Sequence, residues 1–387
     1  MLESLPYGRQ TVTYEDIEEV VGVLNSAYLT QGHVVPEFED EVAQCVDARY
    51  GVAVNSATSA LHLGCLALGV KPGDIIWTSP ISFVASANCG RYCGAEVDFV
   101  DIEPTTGLMD INSLSKKLRT AQVEGMLPKV LIPVHLCGTS CAMEEISDLA
   151  HHFGVRLIED ASHAIGGSYK DRPVGNCRYS DITVFSFHAV KIITTGEGGL
   201  ATTNNAKLAE LMRDLRSHGI TKDRAKFVNR AAGPWSYEQH SLGFNYRMTE
   251  IQAALGRSQL RRLEKVVSER QRQLGRYREL LADLPVQILE IPKDCLTSGH
   301  LAVIRLNESN AAHHRYVFEG LRDAGIGVQV HYTPIHLQPY YQKLGFAEGD
   351  FPAAEAYARS VISLPLFPGL KEQDLLRVAG VLQELLS

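Results

Sequence analysis

The stretch S-F-H-A-V-K-I-I-T-T-G-E-G-G, residues 186–199, sets Lys191 between the apolar pairs Ala189–Val190 and Ile192–Ile193, with no acidic neighbour before Glu197. A lysine in an apolar run either snorkels its ammonium out to water or is used for its chemistry. Burial disfavours the charged form and leaves a free amine near neutral pH, and a free amine attacks carbonyls. Such chemistry needs companions that hold and activate the carbonyl compound.

Three other places offer them. The run GVAVN leads into Ser56, Ala57, Thr58 and Ser59 at the start of a helical pattern, where hydroxyls, free amides and the helix dipole together make an anion site. Alone, this reads equally as an ordinary helix N-cap. The run VRLI ends in Glu159–Asp160, and Asp160 suits a protonated pyridine nitrogen; the plain alternative is a capping aspartate before ASHAIGG. The run DITVFSF delivers Ser186, with Lys191 five residues further on. An anion cradle, an acid and a lysine in order along one sheet point to pyridoxal 5′-phosphate. A competing motif is Gly196, Gly198 and Ala201 in GEGGLA, which formally fits G-x-G-x-x-A and would suit an NAD-dependent dehydrogenase. A dinucleotide fingerprint opens a helix, whereas these glycines lead into LATT, a strand pattern.

The elements that must position these groups follow from periodicity. GVAVN, DIIWTS, EVDFVD, KVLIPVH, VRLIED and DITVFSF read as strands, separated by the helical stretches TSALHLGCLALG, FVASANCGRYC and AMEEISDLAHHFG. Continuous apolar strands alternating with helices predict an α/β domain with a mainly parallel sheet covered on both faces, its ligands beyond the carboxyl ends of the strands. From Thr249 to about Leu284 one long helical stretch is expected, its Arg257, Arg261, Arg262, Lys265, Arg270, Arg272 and Arg276 read as a solvated face. The strand HLAVIRL, the helix AAHHRYVFEGLRDAG, the strand GVQVHYT and a closing helix near EQDLLRVAGVLQELL then predict a smaller α+β domain. The expected division is residues 1–249 and 250–387.

The 387 residues suit two such domains, and the 45% hydrophobic and 21% charged content is that of a globular protein without membrane spans. A net charge of −8 argues against general nucleic-acid binding. Eight cysteines in a chain of this length are not a disulfide framework, and the start MLESLPYGRQ lacks the features of a signal peptide, so a cytoplasmic setting is expected. Cys89 and Cys93, and Cys137 and Cys141, are spaced as helix neighbours and read as packing thiols; no metal site is expected.

The order N-S-A-T-S-A-L, P-I-S-F-V-A-S-A-N, E-D-A-S-H-A-I-G, S-F-H-A-V-K and G-F-N-Y-R-M resembles the DegT/DnrJ/EryC1/StrS sugar aminotransferases over nearly the whole chain. The resemblance implies the aspartate-aminotransferase-like fold (pyridoxal-phosphate fold type I), with a large seven-stranded, mainly parallel sheet domain. It also implies a homodimer with active sites shared across the interface. It identifies Lys191 with the Schiff-base lysine, Asp160 with the pyridinium partner, and Ser186, Ala57 and Thr58 with the phosphate binders. Phe83 falls at the position packed against the cofactor ring, His163 at the position near the ring hydroxyl, and Asn245 at an asparagine reaching the phosphate from the other subunit. Tyr7, Thr30, Ser56, His331 and Tyr332 fall in segments that contact the nucleotide sugar; for Tyr7, His331 and Tyr332 a packing role is the alternative. Relatives that dehydrate C3 of a sugar carry histidine at the lysine position. Lys191 is kept here, which implies transamination, and His188 is read as structural or supporting. The blocks PGDIIWTSPISFVASANCGRYCGAEVDFVDIEP and VHYTPIHLQPYY are similar to those of the branch that moves the amino group of L-glutamate to C4 of a UDP-linked 2-acetamido-2,6-dideoxy-hexos-4-ulose, on the way to pseudaminic acid. The alternatives are another UDP- or dTDP-sugar 3- or 4-aminotransferase and a non-enzymatic, cofactor-binding relative.

Overall fold

In the computed structural model the described residues are 4–229, 233–307 and 310–387. Seven strands form the central sheet: β1 (Tyr50–Val54), β2 (Ile75–Thr78), β3 (Glu96–Phe99), β4 (Val130–Ile132), β5 (Arg156–Asp160), β6 (Ile182–Ser186) and β7 (Gly199–Thr203). Their order across the sheet is β1-β7-β6-β5-β4-β2-β3. Only β7 runs against its neighbours, pairing antiparallel with both β1 and β6, while the other pairs are parallel. The sheet is therefore mainly parallel, as expected for fold type I. LATT lies in β7, so the glycines of GEGG open a strand and give no support to a dinucleotide fingerprint.

Both faces of the sheet are covered, which is why its strands read as unbroken apolar runs. One core joins Val52, Ile76, Leu131 and Ile158 to the helices Ala57–Ala67 and Ala85–Tyr92; the other joins Ala53, Phe185 and Leu200 to the helix Val34–Cys45. Ile192 and Ile193, just past Lys191, are buried in this second core beside Phe187 and Ala253. They anchor the loop that carries the lysine. A third core belongs to the C-terminal part, where the antiparallel strands β8 (Val286–Ile288), β9 (Ala302–Leu306) and β10 (Val361–Leu364) pack under the helices Ala311–Asp323 and Glu372–Leu386.

Several expectations are corrected. The long helix is two, Glu250–Leu260 and Leu263–Leu280, broken at Arg261–Arg262. The first contributes Ala253 and Ala254 to the second core of the large sheet, and the second adds Leu263 and Val267 to that core before placing Leu274 and Tyr277 in the third, so the chain passes toward the small unit along the second helix. The basic run is not one solvated face. Arg257 is paired with Glu37 and Glu41, Arg262 with Asp16 at 2.6 Å, and Arg270 is 1% exposed, donating to the carbonyls of Leu366 at 2.9 Å and His300 at 3.2 Å. Burial without a carboxylate contact pushes the Arg270 pKa down to about 10. GVQVHYT is not a strand: it makes a single isolated bridge, Gln329 to Ser363, because the segment leaves the sheet edge to line a cavity. Cys137 and Cys141 lie in a short 3-10 turn and the coil after it, not on a helix. Among the described residues no helix is long and apolar enough to cross a membrane.

Candidate active site

The carboxyl ends of β1, β2, β5 and β6 open into a cavity of about 780 Å³, closed from the far side by the segment Gln329–Thr333 of the small unit. The helix Ala57–Ala67 starts at the end of β1. Ser56 caps it, accepting from the Ser59 amide at 3.2 Å, and the amides of Ala57 and Thr58 precede the first intrahelical bond. Gly199 of β7 abuts this helix end so closely that a Cβ there would sit 2.4 Å from the Ala57 nitrogen. Gly199→Ala is therefore expected to displace the helix end, seen as a lower melting temperature and as pyridoxal phosphate lost on dialysis that the wild type retains. A variant that keeps both would show the close approach to be dispensable.

Asp160 ends β5 and is 4% exposed. One carboxylate oxygen accepts from the Ser86 hydroxyl at 2.6 Å; the other accepts from the Ser162 hydroxyl at 2.5 Å and the Ser162 amide at 3.1 Å. Its neighbour Glu159 makes a different contact, a buried pair with His135 at 2.7 Å, since successive strand residues face opposite sides. The pairing holds Glu159 below the usual carboxylate range, and contacts with Cys141 and Glu159 raise His135 to about 10 against its burial.

Lys191 lies in the loop after β6, half-buried, with its side chain on the cavity. Among the described residues no hydrogen bond or ion pair is made by its amine. Desolvation lowers its pKa to about 8, against an opposing pull from Asp160. The imidazoles around it do not compete for charge: His163 and His300 are held well below the usual histidine value by burial, and His331 is lowered to about 4 by burial and by Lys191. His163 Nε2 lies 3.1 Å from the Tyr332 hydroxyl, its ring is 4.5 Å from that of His300, and its Nδ1 is buried without a partner among the described residues. His331 Nδ1 meets the Ser363 hydroxyl at 2.7 Å, and Tyr7 packs its ring 5.7 Å from His331. Phe83 also lines the cavity, yet 60% of it is exposed, so its ring is left uncovered.

The cavity thus brings together Lys191, Asp160, His163, Ser56, Ala57, Thr58, Phe83, Ser186, Tyr7, His331 and Tyr332. It does not bring in Thr30 or Asn245, which are exposed elsewhere on the same chain, Asn245 bridged to Ser217. His188 lines the cavity rim 3.8 Å from Glu197. Sequence reasoning missed His300, Ser86, Ser162 and Gln329; only Ser86 and Ser162 sat inside motifs already singled out. The residues present fit pyridoxal phosphate: an amide-lined helix end for its phosphate, an uncovered aromatic face for its ring, a hydrogen-bonded carboxylate, and an orphaned buried imidazole nitrogen. Among the described residues no group of three or more histidine, cysteine, aspartate or glutamate side chains is arranged to hold a metal ion.

A lysine of depressed basicity facing a carboxylate and a helix-end anion site, at the carboxyl edge of such a sheet, defines a pyridoxal-phosphate enzyme of fold type I. The model of the DegT/DnrJ/EryC1/StrS aminotransferase family matches residues 10–383, and the chain belongs to that family. The chain is 38% identical to the spore coat polysaccharide biosynthesis protein SpsC of Bacillus subtilis, over 96% of this chain and 94% of the relative. It is 36% identical to the UDP-4-amino-4,6-dideoxy-N-acetyl-beta-L-altrosamine transaminase of Campylobacter jejuni, again over 96% and 94%. Among solved structures, Helicobacter pylori PseC, an aminotransferase of pseudaminic acid biosynthesis, superposes with a TM-score of 0.91 at 31% identity, covering 99% of both chains. The sugar aminotransferase Spr1654 of Streptococcus pneumoniae in its PLP form superposes at 0.89 and 28% identity, covering 99% of this chain and 100% of that one. The cofactor of the family is pyridoxal 5′-phosphate.

Proposed function

We propose that the protein transfers the amino group of L-glutamate to C4 of a UDP-linked 2-acetamido-2,6-dideoxy-hexos-4-ulose, giving a UDP-4-amino sugar for pseudaminic acid biosynthesis. The observation that carries the transaminase reading is the half-buried Lys191, lowered to about 8, in one cavity with Asp160 and the Ser56–Thr58 helix end. The similarity to the altrosamine transaminase supports the choice of sugar. The comparable identity to SpsC supports, as a second reading, a different UDP- or dTDP-linked 3- or 4-ketosugar.

Bound pyridoxal phosphate supplies the carbonyl carbon that carries the amino group and a ring that withdraws the electrons left by proton removal. Ala57, Thr58 and Ser186 would hold its phosphate, Phe83 would pack on its ring, Asp160 would keep the ring nitrogen protonated, and His163 would serve the ring hydroxyl. Lys191 Nζ would hold the cofactor covalently at rest and, when free, would take the α-proton of glutamate and later deliver a proton to C4 of the sugar. Burial keeps the imidazoles of His163, His300 and His331 from carrying charge beside the amine. Tyr7, His331 and Tyr332 form the sugar-facing wall.

A homodimer with shared sites is part of the proposal. Tyr14, Ile17, Val21 and Leu24 present an exposed apolar stripe on the helix Tyr14–Leu24, which supports a partner there, and Asn245, exposed outside its own chain's cavity, is the residue proposed to reach the partner's phosphate site. All eight cysteines are free thiols, which supports a reducing cytoplasmic setting. The test supplies glutamate with a panel of UDP- and dTDP-ketosugars and reads the product by NMR. The expected product is the UDP-linked 4-amino sugar; amination of a dTDP- or 3-keto substrate alone would select the second reading, and a yellow protein that does not bleach with glutamate would refute both.

A further inference from the structure

The Ser86 hydroxyl that meets Asp160 is the inner end of a chain of hydroxyls. Ser82, Phe83 and Asp160 line the cavity, whereas Ser86 is 0% exposed and lies behind its wall. Ser82 Oγ is 2.6 Å from Ser86 Oγ, and Ser86 Oγ is 2.6 Å from Asp160 Oδ2. A serine hydroxyl has a single proton to give. The Ser86 proton goes to the carboxylate, which is charged and lies nearer than the Phe83 carbonyl at 3.3 Å. Ser82 must then be the donor in its bond to Ser86. Both hydroxyls therefore point the same way, toward Asp160, and each bond polarises the next.

A carboxylate offers about four acceptor directions, shared equally between its oxygens. The hydroxyl and amide of Ser162 fill those on Asp160 Oδ1, and Ser86 fills one on Oδ2. A single direction on Oδ2 is left. We infer that Oδ2 is the oxygen offered to the ring nitrogen of pyridoxal phosphate, and that Ser86, backed by Ser82, is a positioning residue that fixes its aim. The inference rests on Asp160 as the ring-nitrogen partner proposed above. Without the Ser86 bond the carboxylate is tied through Oδ1 alone and can swing about its Cβ–Cγ bond. One turn of chain then has two tasks. The Ser86 amide donates to the Phe83 carbonyl at 3.2 Å, so the aromatic for the ring face and the hydroxyl that aims the acid are held in register.

The test titrates the full-length apoprotein with pyridoxal phosphate and, separately, with 1-deazapyridoxal 5′-phosphate, the analogue that has C–H in place of the ring nitrogen. Wild type is compared with Ser86→Ala, Ser82→Ala and Asp160→Asn. Loss of a hydrogen bond to a charged group is expected to weaken binding of pyridoxal phosphate by Ser86→Ala about tenfold, with the deaza analogue bound within about twofold of wild type. Ser82→Ala leaves the bond from Ser86 to Asp160 in place and is expected to show the same preference at about threefold, so it carries the test should Ser86→Ala not fold. A merely structural role would weaken both ligands alike. That result, or serine variants that bind pyridoxal phosphate as the wild type does while Asp160→Asn does not, would overturn the positioning role alone. An Asp160→Asn that binds both ligands as the wild type does would instead refute Asp160 as the ring-nitrogen partner, and the positioning role with it.

Discussion

Replacing Lys191 by alanine is expected to abolish turnover, with a loss of at least about 10⁴-fold, because one amine serves as anchor, base and acid. The variant should fold and retain pyridoxal phosphate only non-covalently, so that borohydride fixes no pyridoxyl adduct to the peptide containing residue 191. Appreciable transamination by this variant would remove Lys191 from the mechanism. The same residue makes a prediction about stability. Its folded pKa, lowered to about 8, lies below that of the unfolded chain. Below about pH 8 the folded protein carries a desolvated ammonium in the cavity. Between about 8 and the ordinary lysine value of about 10.4, the unfolded state binds more protons than the folded one, so stability rises with pH. Apo Lys191→Met should therefore melt above the apo wild type at pH 7, and the gap should narrow as pH rises through that window. A gap independent of pH would mean that Lys191 is not desolvated.

Asp160→Asn is the second large effect. The substitution keeps the shape of a side chain bonded to Ser86 and Ser162 and removes its charge. Loss of a fixed electrostatic group at a reacting centre costs about 10²–10³-fold in rate. The expected result is a folded protein with that loss in kcat and weaker hold on pyridoxal phosphate, measured by single-turnover bleaching with glutamate and by dialysis. An unchanged rate would return Asp160 to the role of a cap for the turn that follows β5.

The large sheet was legible because its strands are buried on both faces, and an unbroken apolar run such as DIIWTS or VRLIED has few other readings. Once the strands were placed, the rule that ligands gather at their carboxyl ends brought Ser56–Thr58, Asp160 and Lys191 to one edge. His300 was not legible. It precedes a strand of the small unit, carries no local motif, and reaches the cavity only because that unit folds back over the sheet. The helix break at Arg261–Arg262 was hidden because arginine is a good helix former. The burial of Arg270 was hidden because a run of like charges reads as surface, and the backbone carbonyls that satisfy it come from segments about thirty and about ninety-six residues away. GVQVHYT has the alternation of a strand, but its pairing edge gives way to contacts with the cavity.

Arg270 has a mechanical consequence. Its guanidinium grips the chain just before β9 and just after β10, and the first of those points is His300, whose ring lies against His163. The C-terminal lobe and the cavity's back wall are riveted at one inner cation. Any tilting of that lobe would drag the imidazole pair with it, so access to the pocket and alignment of its wall must change together.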